Sequence, residues 1–131
     1  MANFKFELVS PERLLMSEDV AEVQVPGSEG DFTVLAGHSP VLSTILPGIL
    51  NVKLADGKSR RIYVKGGFAE VDPVSLTILA QQAVDLADLD KGWVANELEA
   101  AEREFASATG DDERRYAYAA VEQLKRLAAG P

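Results

Sequence analysis

The chain has 131 residues, of which 47% are apolar and 26% charged, with a formal charge of −8 and no cysteine. That length fits one ordinary domain or one domain with an appendage, and the balance excludes a disordered chain. No run approaches the ~20 apolar residues that cross a bilayer, missing thiols exclude disulfides and thiolate metal sites, and the acidic balance argues against nucleic acid.

The first ten residues, MANFKFELVS, lack a basic-then-apolar leader pattern, so a cytoplasmic protein is expected. Within them Phe4, Phe6 and Leu8 alternate with Lys5, Glu7 and Val9, which predicts a strand with one face inward. Val20, Val23 and Val25 precede a Pro26-Gly27 turn. From Val23 to Gly48 short apolar runs alternate with turn residues, including Gly37-His38-Ser39-Pro40, which reads as tightly turned β-structure. Leu50, Val52 and Leu54 alternate with polar neighbours until Asp56-Gly57, a favoured hairpin pair, reverses the chain into Arg61-Ile62-Tyr63-Val64. Gly66-Gly67 interrupts, Phe68 to Val71 resumes, and Asp72-Pro73 turns into Leu76, Ile78 and Ala80. Short strands with turns every eight to twelve residues predict an antiparallel β-sandwich or flattened barrel over residues 1–85.

Composition shifts near residue 85: five of six prolines lie before it, and Ala, Glu, Leu and Arg dominate after it. Residues 86–131 read as an antiparallel two-helix hairpin. Asp90 is the expected N-cap of a first helix carrying Val94, Leu98, Ala101 and Phe105 at helical spacing. Thr109-Gly110-Asp111 breaks it, and a second helix from about Asp112 to Ala128 carries Tyr116, Ala120, Leu124 and Leu127 on one side. Alanines 117, 119 and 120 permit close approach of the two helices. The narrow apolar stripes predict that the helices pack on each other and only loosely on the β-domain.

No motif supplies an active site. Gly57-Lys58-Ser59 mimics a phosphate loop, but the glycine required five positions earlier is Val52, and the flanking strands make it a hairpin turn. His38 is the only histidine and lacks zinc co-ligands; a loop histidine making hydrogen bonds or a partner contact outweighs a general base. Glu29 and Asp31 flank Gly30 and read as an exposed acidic turn tip, a candidate binding spot. Gly66-Gly67 reads as a bulge or sheet corner before it reads as a ligand contact. Trp93 marks either an interface or the hydrophobic seam, and the acidic face of Glu97, Glu99, Glu102 and Glu104 reads as solvated.

The blocks VPGSEGDFTVLAGHSPVLSTILPG, YVKGGFAEV and VSLTILAQQAVDLADLD occur in order and resemble the epsilon subunit of the rotary ATP synthase. The resemblance covers the whole β-rich part and continues more weakly into the hairpin. It implies a ten-stranded sandwich followed by two antiparallel helices. It also implies a non-catalytic rotor subunit, without a cofactor, that joins the gamma subunit to the membrane c-ring and couples proton-driven rotation to ATP synthesis. Such a subunit is peripheral on the cytoplasmic face of a bacterial inner membrane and held through its protein partners. Carried over by position, Asp31, helped by Glu29, would face the basic c-ring loops, and Gly37, His38, Ser39 and Pro40 would face gamma.

The helical part departs from the family pattern. Where some members bind ATP through Asp, two variable residues and Arg-Ala, this chain has Asp90-Lys91-Gly92-Trp93-Val94, so ATP sensing is not expected. Members inhibit hydrolysis when the hairpin opens toward the alpha/beta catalytic head. Here residues 85–131 hold eleven acidic and six basic residues, a net of −5, and only Arg114, Arg115, Lys125 and Arg126 offer basic contacts from the second helix. Weak regulation is the expectation. A stand-alone adaptor binding a helical partner is the alternative reading; a hydrolase built on His38 and Asp31 ranks below it.

Overall fold

Seven strands form one hydrogen-bonded sheet that closes on itself in a computed structural model describing residues 2–130. They are β1 (Phe4–Val9), β2 (Leu14–Val25), β3 (Phe32–Val34), β4 (Val41–Leu54), β5 (Ser59–Asp72), β6 (Ser75–Ala80) and β7 (Ala83–Asp85). The order is β1-β6-β5-β4-β2-β3, β7 pairs with β5, and a further β1–β2 pairing completes the ring. A 3₁₀ turn (Leu86–Asp88) leads into helices α1 (Lys91–Ser107) and α2 (Asp111–Ala128).

Three long strands bend. The register of β2 slips between Val20 and Glu22. β5 turns its corner at Gly66 and Gly67, at φ of +78° and +131°. β4 bends opposite them: the Leu46 N–H leaves the β5 ladder and donates to the Pro26 carbonyl at 2.9 Å. Cut at these bends, β2, β4 and β5 each supply two segments, which reconciles seven hydrogen-bonded strands with a ten-stranded sandwich. One layer contains the first half of β2, all of β1 and β6, and the halves of β5 and β4 around Phe68 and Leu42. The other contains β3, the second half of β2, the halves of β4 and β5 around Ile49 and Tyr63, and β7.

One pairing departs from the all-antiparallel expectation: β1 and β6 run parallel, Lys5 opposite Ser75 through Val9 opposite Leu79. No hairpin can join parallel neighbours, and these two are the first and last strands of the closed ring in chain order, brought together by its closure. Between the layers lies a single apolar core that includes Phe6, Val20, Ile45, Leu50, Val64 and Ile78. Alternation explains it, since Phe4, Phe6 and Leu8 all point inward. The Asp56-Gly57 hairpin forms as expected: the Gly57 N–H donates to the Leu54 carbonyl and the Lys58 N–H to the Asp56 carboxylate.

The hairpin docks more firmly than its narrow stripes predict. A second core joins Tyr63 to Ala101, Ala120, Val121 and Leu124, with Ile49, Trp93, Leu98 and Leu127 packed around it. Tyr63 points away from the sandwich interior yet is only 1% exposed, because the helices cover it. Trp93 belongs to this seam, edge-on to Tyr63 with ring centroids 6.0 Å apart. Phe105 is an exception to the α1 stripe: it is partly exposed and packs against Tyr118 on the solvent side. Asp90 caps α1, accepting from the Trp93 N–H at 2.7 Å. α2 has no side-chain cap, and Asp111, Asp112 and Glu113 at its start and Lys125 and Arg126 at its end complement the helix dipole instead.

A partly buried ion pair holds the strand that leads into the helices. Arg60 donates through Nε and Nη2 to Asp85 Oδ2 at 2.9 and 2.6 Å, and Oδ1 accepts from the Ala87 N–H. Partial burial opposes ionisation of Asp85, but the Ala87 and Arg60 hydrogen bonds outweigh it, so its pKa lies below the ordinary 3.8. A depressed carboxylate pKa stabilises the fold above the unfolded value and ceases to do so as pH falls through the folded one. We therefore expect Asp85→Asn to flatten the loss of stability below about pH 4. Urea midpoints of both proteins measured from pH 5 to 2 check this, and parallel curves would assign the acid sensitivity to other carboxylates.

Candidate interaction surfaces

The outer face of each sandwich layer has a different fate. The layer containing Tyr63 is covered by the helices. The opposite layer is bare, and cross-strand register lines up Leu14, Val9, Leu79 and Phe68 in an apolar row over four of its five strands, with Thr44 ending the row on the fifth. Leu14, Leu79 and Phe68 are 53%, 48% and 51% exposed, and Leu42, in the next row, is 73% exposed. Large side chains kept in water on adjacent strands form a contiguous patch of the kind that marks protein contacts.

The predicted loop Gly37-His38-Ser39-Pro40 borders this patch. It runs directly into Val41 and Leu42 of β4, and its Gly37 N–H donates to the Pro73 carbonyl at 2.8 Å. The Asp72-Pro73 turn is itself fixed, because Asp72 Oδ1 accepts from the Val74 and Ser75 N–H groups. These backbone hydrogen bonds to Oδ1 and the Ser75 hydroxyl on Oδ2 hold the Asp72 pKa below its usual value. Exposed Leu35 and Val74 complete an apolar rim here. His38 is half-buried against the Phe32 ring, 6.4 Å between centroids, and its Nδ1 donates to the Ser39 carbonyl at 2.7 Å. That bond orients the ring within the loop, and the carboxylate of Asp31 is not among its hydrogen-bond partners.

Glu29 and Asp31 stand exposed on the Pro26–Asp31 turn, at the other end of β3 from the His38 loop. The turn is tied to β4 by the Ser28 N–H on the Thr44 carbonyl, and it closes on itself through Gly30 N–H to Gly27 carbonyl. The four basic residues of α2 do not form one cluster. Arg115 donates to the Ser28 carbonyl and Arg114 to the Ala108 carbonyl, both at the start of the helix, whereas Lys125 and Arg126 lie in its last turn. Arg126 and Asp31 border an open groove of about 930 Å³ between the sandwich and the helix ends.

Sequence reasoning missed the apolar row. Its members sit at alternating positions of separate strands, and only register makes them neighbours. The covered face left a trace: Ile62-Tyr63-Val64 are consecutive apolar residues, the mark of a strand buried on both sides.

The family described as ATP synthase, Delta/Epsilon chain, beta-sandwich domain matches residues 3–86. The ATP synthase epsilon chain of Parvibaculum lavamentivorans is 49% identical over 122 residues, 93% of this chain and 92% of that one. This chain belongs to the ATP synthase epsilon family. The epsilon chain of Brucella anthropi is 48% identical over 124 residues, covering 95% of this chain and 92% of its own length. Among solved structures, a chain of the Euglena gracilis mitochondrial ATP synthase, described as OSCP/F1/c-ring in rotational state 1, matches with a TM-score of 0.75 at 29% identity. That match covers 98% of this chain and 81% of the other. A chain of the Tetrahymena thermophila central stalk and c-ring shares the fold, with a TM-score of 0.65 at 12% identity over 97% of each chain. The epsilon relatives align through the sandwich and into the hairpin, so the family extends over both parts of this chain.

Proposed function

We propose that this epsilon-family chain is a non-catalytic central-stalk subunit that joins gamma to the c-ring of a membrane ATP synthase and passes proton-driven rotation between them. The observation that carries this reading is the exposed apolar patch of Leu14, Leu79, Phe68 and Leu42 on the bare layer, opposite a layer already covered by the chain's own helices. A rotor element needs one face to grip a stalk and one end to meet a ring. The apolar patch, with Gly37, His38, Ser39 and Pro40 at its rim, suits gamma; the acidic turn with Glu29 and Asp31 suits the basic loops of the ring. Apolar burial supplies the affinity at such a junction, and polar contacts fix its register. The closed β-ring suits torque, because its hydrogen-bond ladders and single core resist shear as one body.

In this reading residues 1–85 are the coupler and residues 86–131 an accessory hairpin. The protein lies at the cytoplasmic face of a bacterial inner membrane, attached through its partners; no helix among its described residues is long and apolar enough to cross a membrane. Regulation by the hairpin is weak, because Arg114 and Arg115 are engaged within the chain and Lys125 and Arg126 stand apart from them. An extended hairpin would also have to uncover Tyr63 and Ile49.

The test is association of this chain with purified gamma, which the reading requires and a free-standing adaptor would not give. At the other end, Asp31→Lys replaces an attraction to basic loops with a repulsion. An exposed pair contributes ~0–1 kcal/mol and a like-charge pair opposes by a similar amount, at most about 2 kcal/mol together, so we expect up to about thirtyfold weaker capture of c-ring by the chain–gamma complex. Unchanged capture would remove Asp31 from the ring contact.

A further inference from the structure

We infer that Arg115 links the docking of the helical hairpin to the shape of the acidic Pro26–Asp31 turn, so that neither can move without biasing the other. Three contacts bring the helices onto one corner of the sandwich. The Tyr116 hydroxyl donates to the Lys65 carbonyl at 2.5 Å, and Lys65 Nζ lies 3.8 Å from the Glu104 carboxylate of α1. Both fall at the β5 bend, where Gly66 provides the space: a Cβ there would collide with the Tyr116 hydroxyl. The third contact is Arg115 on the Ser28 carbonyl. It reaches a different element, the turn whose next residues are Glu29, Gly30 and Asp31.

Adjacency in α2 makes the link. Arg115 and Tyr116 are consecutive, so on a rigid helix the seat of Tyr116 at Gly66 sets the reach of Arg115 to Ser28. The Ser28 and Gly30 N–H groups, bonded to the Thr44 and Gly27 carbonyls, hold the turn from the other side. When the helix lifts, the turn loses the one side-chain hydrogen bond it receives among the described residues, while the Phe32 ring still packs on Gly27. By reciprocity, a partner that binds the turn in its braced shape holds the helices down, and one that binds the loosened shape releases them. The link itself is independent of what binds the turn; only its consequence for a c-ring partner rests on the function proposed above.

Amide hydrogen exchange of the isolated full-length chain tests the link apart from any partner. Tyr116→Phe removes the hydroxyl bond at the corner, and Arg115→Gln removes the brace, and both residues are outside the sandwich core. We expect Tyr116→Phe to speed exchange at Ser28 and Gly30 roughly three- to tenfold, as a lost hydrogen bond allows. In the Arg115→Gln background the same change should leave these two amides unaffected, because the connection is already cut. Exchange at Phe6 and Ile78 reports that the sandwich core is intact in every variant. An equal effect of Tyr116→Phe in both backgrounds, or none in either, overturns the inference. Preserved coupling with no ring binding would leave the link standing and count against the c-ring reading alone.

Discussion

Replacing Gly67 with alanine is expected to destabilise the sandwich by about 2–5 kcal/mol, from backbone strain and overpacking together. Gly67 holds φ at +131°, where a side chain is strained whatever room surrounds it. There is no room either: a Cβ would run into the Leu79 carbonyl, part of the β5–β6 ladder in which Gly67 pairs with Ala80. Relief requires opening that ladder, next to the parallel β1–β6 pairing that closes the ring. A domain of this size has a total stability of about 5–15 kcal/mol, so the change takes a large share of it. Guanidinium unfolding should show the midpoint falling sharply with little change in slope. An unchanged midpoint would mean that β5 does not turn its corner at this residue.

Gly66 differs from its neighbour because its obstacle is the end of a flexible side chain. A substituent there displaces Tyr116 and the start of α2 before it disturbs the ladder. One bend therefore serves two purposes: Gly67 lets β5 pass between layers, and Gly66 receives the helix.

The second large effect concerns binding. Phe68→Glu should weaken association with gamma by more than about thirtyfold, the loss typical of a buried aromatic anchor. It should barely change the melting temperature, because Phe68 is 51% exposed and belongs to no core cluster of the chain. The charge would fall between Thr44 and Leu79, replacing the largest side chain of the apolar row. There it would need a partner that an apolar counterface does not offer. Titration of each protein into an alpha–beta–gamma complex lacking this subunit measures the difference. Lys53→Ala, on β4 but in the helix-covered layer, should bind as the parent does. If both variants bind equally well, the apolar patch is not the gamma surface.

The two predictions separate what holds the sandwich from what the sandwich holds. Gly67 acts through backbone geometry inside the fold, while Phe68 contributes area that the chain alone leaves in water.

Much of the architecture was legible from residue order. Phe4, Phe6 and Leu8 announced an inward face by their period of two, and Asp56-Gly57 announced a hairpin by its turn chemistry. Asp90 announced a helix start by its side-chain acceptor. The acidic turn and the His38 loop were also visible, as turn residues inside apolar sequence. The firm docking of the hairpin was not, because it depends on Tyr63 and Ile49 facing away from the sandwich, and alternation alone would assign them to solvent. Nor could spacing reveal that Arg115 reaches Ser28 across 87 positions.

The order of side chains along this chain determined its strands, turns, caps and family, since those follow from local backbone preferences and from blocks that can be compared one by one. Tertiary structure decided which faces are covered, which residues form the bare row across four strands, and which loop the second helix grips. Those outcomes depend on register and on closure of the ring. Both are set by packing many distant segments at once, and no short stretch of sequence encodes them.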